Sequence, residues 1–145
     1  MQAKVVAVCV SKNKGERKAP VESVELVVNH GIASDAHAGE WHRQVSLLAR
    51  ESIAKMQQMG LAVDAGDFAE NITTEGIDLP SLAIGTRLAI GPALLEITQI
   101  GKECHTRCAI FYQAGDCVMP KEGIFVKVLK GGVVRTGDPI HPMDS

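Results

Sequence analysis

Short runs rich in valine, isoleucine and leucine recur along this chain, each closed by glycine, proline or a polar turn, and only one stretch has helical spacing. That pattern limits the fold more than any single motif does. Residues 4–10 (Lys-Val-Val-Ala-Val-Cys-Val) read as a buried strand, and residues 21–28 alternate as a second. Residues 82–91 and 93–100 read as paired strands about the Gly91-Pro92 turn. Residues 123–130 and 133–135 read as a hairpin turning at Gly131-Gly132. One main helix is expected over about residues 45–59, where Leu47, Leu48, Ile53, Met56 and Met59 fall at helical spacing and Gly60 stops it. Many short strands with one helix predict a mainly β, α+β fold, closed or nearly closed, in a single domain spanning residues 1–145. Aromatic residues are only 3% of the chain, so its core must be aliphatic.

A formal net charge of −2 offers no general attraction for polyanions, so neither nucleic acid nor a membrane is expected as a partner. The first ten residues are too short and strand-like for a signal peptide, and no apolar run approaches a membrane span. The expected location is cytoplasmic, where thiols stay reduced.

Chemically capable side chains gather in three places. Cys104, Cys108 and Cys117 are separated by three and then eight residues, with His105 and Arg107 between the first two. Structural zinc sites usually show two close ligand pairs set well apart, which this spacing does not reproduce. Arg107 beside Cys108 favours its thiolate, the form that attacks sulfur or binds soft metals. A free cysteine can equally pack as a small buried hydrophobe. The second place holds Asp35 and His37 in an irregular stretch that leads to Arg43 and Ser46. A helix starting at Ser46 would offer backbone N–H groups and a cation to an anion, or Gln44 or Ser46 would simply cap it. The third runs from Gly66 to Thr74, where Asn71 and Thr73 suit a heterocycle edge or a phosphate oxygen, or simply form a turn.

Taken together, Lys18, Asp35-Ala-His37, Arg43-Gln-Val-Ser46-Leu-Leu, Gly66-Asp-Phe-Ala-Glu-Asn71-Ile, Cys104-x-x-x-Cys108 and Gly137-Asp-Pro resemble the MOSC domain. That domain is named for the C-terminal part of molybdenum cofactor sulfurases. The likeness runs from about residue 4 to residue 140 and makes the chain similar to the short, stand-alone members.

The resemblance implies a compact β-barrel-like fold that binds the molybdenum cofactor or a molybdopterin precursor, either non-covalently or through a cysteine. Cys108 matches the family's sulfur-carrying or molybdenum-ligating cysteine and Cys104 the one before it, while Cys117 has no counterpart. Arg107 and His105 would tune the thiolate. Lys18, Arg43 and Ser46 would hold the pterin phosphate, and Asn71 and Thr73 would meet the ring edge or phosphate. Asp35 and His37 would line the cleft. Expected partners are cofactor-biosynthesis proteins or a recipient molybdoenzyme. These 145 residues leave no room for the pyridoxal-phosphate desulfurase domain of the sulfurases. No pyridoxal phosphate is expected, therefore, and a cysteine desulfurase would supply the sulfur. Two competing readings are a molybdenum-dependent reductase of N-hydroxylated compounds and a zinc-stabilised structural or regulatory module.

Overall fold

The computed structural model describes residues 3–11, 18–33, 35, 38–41, 44–60, 62–66, 70–100 and 123–143. In chain order the elements are β1 (Lys4–Val10), β2 (Ala19–Val21), β3 (Ser23–Val27), β4 (Gly31–Ile32), β5 (Val45–Ala49), α1 (Arg50–Gln58) and β6 (Ile72–Glu75). They continue as β7 (Arg87–Ile90), β8 (Ala93–Ile100), β9 (Ile124–Lys130), β10 (Gly132–Arg135) and β11 (Ile140–Met143). The α+β class is as expected.

Eight strands form one sheet in the order β11-β7-β8-β9-β5-β6-β1-β2, and β10-β3-β4 form a smaller one. The large sheet is open, so the expected barrel is not closed by strand pairing. It does curl until its two ends meet. Val5 N donates to Asp138 O (2.9 Å), Gly137 N to Val5 O (2.8 Å) and Ile140 N to Ala3 O (2.9 Å), which ties β1 to the turn before β11.

The interior is aliphatic, as the shortage of aromatics requires. Val5, Leu47, Ile72, Leu88, Ile97 and Val126 belong to one buried cluster built wholly from Ala, Val, Leu and Ile. Leu48, Ile53, Met56 and Val63 are also buried but lie outside that cluster. α1 contacts β5 and β6, so β5 is covered on both faces and all five of its residues are buried.

This double burial corrects the expected helix of residues 45–59. Val45–Ala49 is a strand, and the helix begins at Arg50. Four apolar residues around Ser46 have no legible period, and their continuation into Ile53 and Met56 imitates helical spacing. The topology supplies the reason for the helix. β5 and β6 are parallel, and parallel neighbours need a crossover long enough to return the chain. The stop is where it was expected: Gly60 has φ +92° and its N–H reaches Gln57 O at 3.0 Å.

The Gly91-Pro92 turn does join a hairpin, since Ile90 pairs with Ala93. The expected hairpin at Gly131-Gly132 does not form. β9 pairs with β8 and β5, whereas β10 pairs with β3 in the other sheet. A Cβ on Gly131 would stand 2.5 Å from Leu26 O. The chain therefore passes between the sheets where only glycine fits.

Candidate functional site

The C-terminal end of β1 and the N-terminal ends of β5 and β6 lie at the same rim of the large sheet, because β1 runs antiparallel and β5 parallel to β6. Sequence segments far apart meet there, and two polar frameworks hold them.

The first is an enclosed ion pair. Lys18 Nζ lies 2.8 Å from Asp35 Oδ1, with both side chains fully buried. The ammonium also donates to Ser11 Oγ at 3.0 Å, and Ser11 N donates to the same Asp35 oxygen at 3.1 Å. An ammonium and a carboxylate are tolerated inside a protein when paired and hydrogen-bonded in this way. The pair fastens the chain after β1 to the loop after β4. Lys18 also bonds through its backbone, with its N–H on Gly66 O at 2.8 Å.

Gly66 has φ +88°, and a Cβ there would stand 2.1 Å from Lys18 O and 3.2 Å from Cys9 Sγ. Gly66→Ala is expected to cost at least about 2 kcal/mol from left-handed strain and backbone overlap together. A denaturation midpoint equal to that of the wild type would show that the two segments do not touch so closely.

The second framework centres on Asn71, which is fully buried. Its Oδ1 accepts from Ser46 N (3.0 Å) and Ser46 Oγ (3.2 Å). Its Nδ2 donates to Cys9 O (3.1 Å). Its backbone N–H donates to both Ser46 O and Ser46 Oγ at 3.0 Å, and Cys9 N donates to Asn71 O at 2.7 Å. One residue thus joins β1, β6 and β5 where the regular ladders run out. Ser46 lies within β5, so the helix-start anion site read at Ser46 is not there. The N-cap of α1 is Ala49, and no side chain caps it.

Thr73 is a strand residue of β6 rather than part of a turn, and its hydroxyl donates to Glu70 Oε2 at 2.8 Å. Glu70 is wholly buried. Ser11 was not singled out in the sequence, and Glu70 stood there only as part of the Gly66-to-Ile72 motif, with no role of its own. Gln44, read as a cap, instead spans the two sheets. Its Oε1 accepts from Val128 N at 2.9 Å, and its Nε2 donates to Asn29 Oδ1 at 3.2 Å.

The structure therefore brings Lys18, Asp35, Ser46, Asn71 and Thr73 to one rim. His37, Arg43, Cys104, His105, Arg107, Cys108 and Cys117 lie outside the described residues. The anchors of the cysteine segment are described. Ile100 pairs with Ile124, and Ile124 lies opposite Leu47, next to Ser46 in β5. Among the described residues, no three His, Cys, Asp or Glu side chains gather as a metal site, and Cys9 is buried. No helix among the described residues is long and apolar enough to cross a membrane.

The chain can now be set beside known proteins. A family model described as the MOSC domain matches residues 34–141. No curated protein matches. Among solved structures, the YuaD protein from Bacillus subtilis superposes with a TM-score of 0.81 at 21% identity, covering 99% of this chain and 98% of that one. YiiM from Geobacillus stearothermophilus gives 0.73 at 21%, covering 98% and 75%. YiiM from Escherichia coli gives 0.71 at 19%, covering 100% and 71%. At such identities these likenesses speak for the fold alone.

Proposed function

We propose that this chain, which belongs to the MOSC domain family, binds the molybdenum cofactor or a molybdopterin precursor at the rim and carries sulfur for it on a cysteine. The family ties the chain to molybdenum-cofactor chemistry in general; the molecule held and the role of the thiol are our reading. One observation supports it most. Five side chains read as cofactor-binding converge at the rim, and the cysteine segment departs from Ile100 and returns at Ile124, one register step from Ser46.

The residue types fit such a group. A phosphate-bearing, sulfur-rich anion calls for cations and a soft thiolate. Arg43 and Arg107 supply the first, His37 can donate a hydrogen bond, and Cys108 or Cys104 supplies the second. The described residues support these groups. Lys18 already serves Asp35 and Ser11, so its part in phosphate binding is to steady the loop carrying His37. Asn71 and Ser46 answer one another, so they set the end of β5 that follows Arg43. Thr73 is backed by Glu70.

When bound, molybdenum would offer a site for sulfur exchange. On the protein's side, the Cys108 thiolate attacks the outer sulfur of a donor persulfide. A new sulfur–sulfur bond forms on Cys108, and the donor leaves as its own thiolate. Arg107 favours the attacking thiolate by its charge. The donor would be a cysteine desulfurase and the recipient a molybdoenzyme or a cofactor-maturation protein.

The test is molybdopterin binding by the wild type, Cys108→Ala and Cys104→Ala, together with a persulfide count after incubation with a desulfurase and cysteine. We expect Cys108→Ala to lose the persulfide and to weaken binding by roughly tenfold, the loss of one soft ligand or charged contact. Equal behaviour of Cys108→Ala and wild type would remove Cys108 from the site. No binding by any of the three would sink the cofactor reading.

A further inference from the structure

β1 is bulged beside β6. Val5 pairs with Thr74 and Ala7 with Thr73, so Val6 is the extra residue. In a regular strand, neighbouring side chains point to opposite faces. Here Val6 and Ala7 both line one cavity of about 400 Å³, lying against α1 and reaching Thr73. That volume is in the range of small-molecule sites. Bulges often mark places where a strand is bent open for function.

The cavity is chemically polarised along α1. Arg50, Ile53 and Gln57 line it from the helix, and their spacing puts them on one face. Arg50 and Gln57 are seven residues apart, about 10 Å along the axis. At the Arg50 end lie a guanidinium and the uncapped start of a nine-residue helix, both favourable to an anion. Glu51, also in the first turn, accepts a hydrogen bond from Gly76 N at 2.9 Å. Among the described residues Arg50 has one weak ion-pair partner, Glu75 Oε1 at 3.6 Å, with 66% of the arginine side chain exposed. Such a pair is worth little and can yield to a ligand.

The other end is rich in acceptors. Gln57 commits its Nε2 to Val63 O at 2.8 Å, which leaves Oε1 to accept. Thr73 commits its proton to Glu70 at 2.8 Å, which leaves lone pairs on Oγ1. Asp64 lines the same cavity, and its Oδ1 accepts from Ala65 N at 2.8 Å. Val6, Ala7, Ile53 and Ala65 supply apolar contact between the ends.

We propose that this cavity, which meets the rim framework at Thr73, is a second binding site for a small zwitterion whose carboxylate meets Arg50 and whose ammonium meets Asp64 and Gln57. The span suits an ω-amino acid or a short peptide-like molecule with charges most of 10 Å apart. A ligand with only one charge would fill half of the electrostatic pattern. The inference stands on the bulge and the cavity lining and does not depend on cofactor binding.

The probe is 6-aminohexanoate, with hexanoate and hexylamine as singly charged controls, titrated into the ¹⁵N-labelled full chain at neutral pH. The zwitterion is expected to bind saturably, to shift the amides of Ala7, Ile53, Gln57 and Ala65, and to bind more tightly than either control. Arg50→Gln should weaken it roughly fivefold and leave hexylamine unaffected, while Asp64→Asn should do the same and spare hexanoate. Both substitutions are on exposed residues, so the variants should fold, and their spectra will show whether they do. Three outcomes would overturn the proposal: no saturable shift with any probe, equal affinity in both variants and the wild type, or shifts confined to residues outside the cavity.

Discussion

Lys18→Met is expected to lower the unfolding free energy by about 3–5 kcal/mol, a large share of the total for a domain this size. The substitution keeps most of the side-chain volume and removes the ammonium, leaving Asp35 as a buried carboxylate without its cation. Asp35→Asn should cost less, since the amide oxygen can still accept from Lys18 and from Ser11 N. The double variant Lys18→Met/Asp35→Leu should recover part of the loss, because neither charge then needs compensation. Urea denaturation of the four proteins measures the series. A Lys18→Met protein within about 1 kcal/mol of wild type would mean that the pair is not enclosed as the structure has it.

Asn71→Ala is expected to cost about 2–4 kcal/mol. It removes the acceptor for Ser46 N and the donor for Cys9 O, and a buried polar group left unpaired costs about 1–3 kcal/mol. For a chain of this length the melting temperature should fall by roughly 10 °C. Asn71→Asp is the sharper test. It keeps the acceptor for Ser46 but turns a carboxylate oxygen toward Cys9 O, which also only accepts. It should be at least as damaging as alanine despite being nearly isosteric. If Asn71→Asp melts with the wild type, Asn71 does not link the three strands.

These two residues show what the sequence could and could not say. Both were legible as functional candidates, Lys18 as a phosphate holder and Asn71 as a ring-edge contact. A lysine or an asparagine in a loop has the same appearance whether it faces a ligand or is enclosed by its own chain. The difference rests on partners 17 and 62 residues away, Asp35 for Lys18 and Cys9 for Asn71. The error at residues 45–59 has a related cause. Val45–Ala49 is buried at every residue, Ser46 included, because it is covered from both sides, and its apolar positions carry no clear period to tell strand from helix. Gly131-Gly132 carries a turn signal in either topology, and only the pairing of β10 with β3 shows that the chain leaves the sheet.

The sequence by itself determined the strand-rich class, an aliphatic core, the end of the helix at Gly60 and the family. These depend on local chemistry: side-chain branching, the supply of aromatic residues, left-handed glycine and the linear order of motifs. Tertiary structure alone decided that the large sheet stays open while its ends are tied, and that Lys18 and Asp35 neutralise one another inside the protein. It also decided that Asn71 fastens three strands and that the bulge at Val6 opens a cavity beside α1. Each of these depends on pairing register and enclosure, which arise only when distant segments are brought together and water is excluded between them.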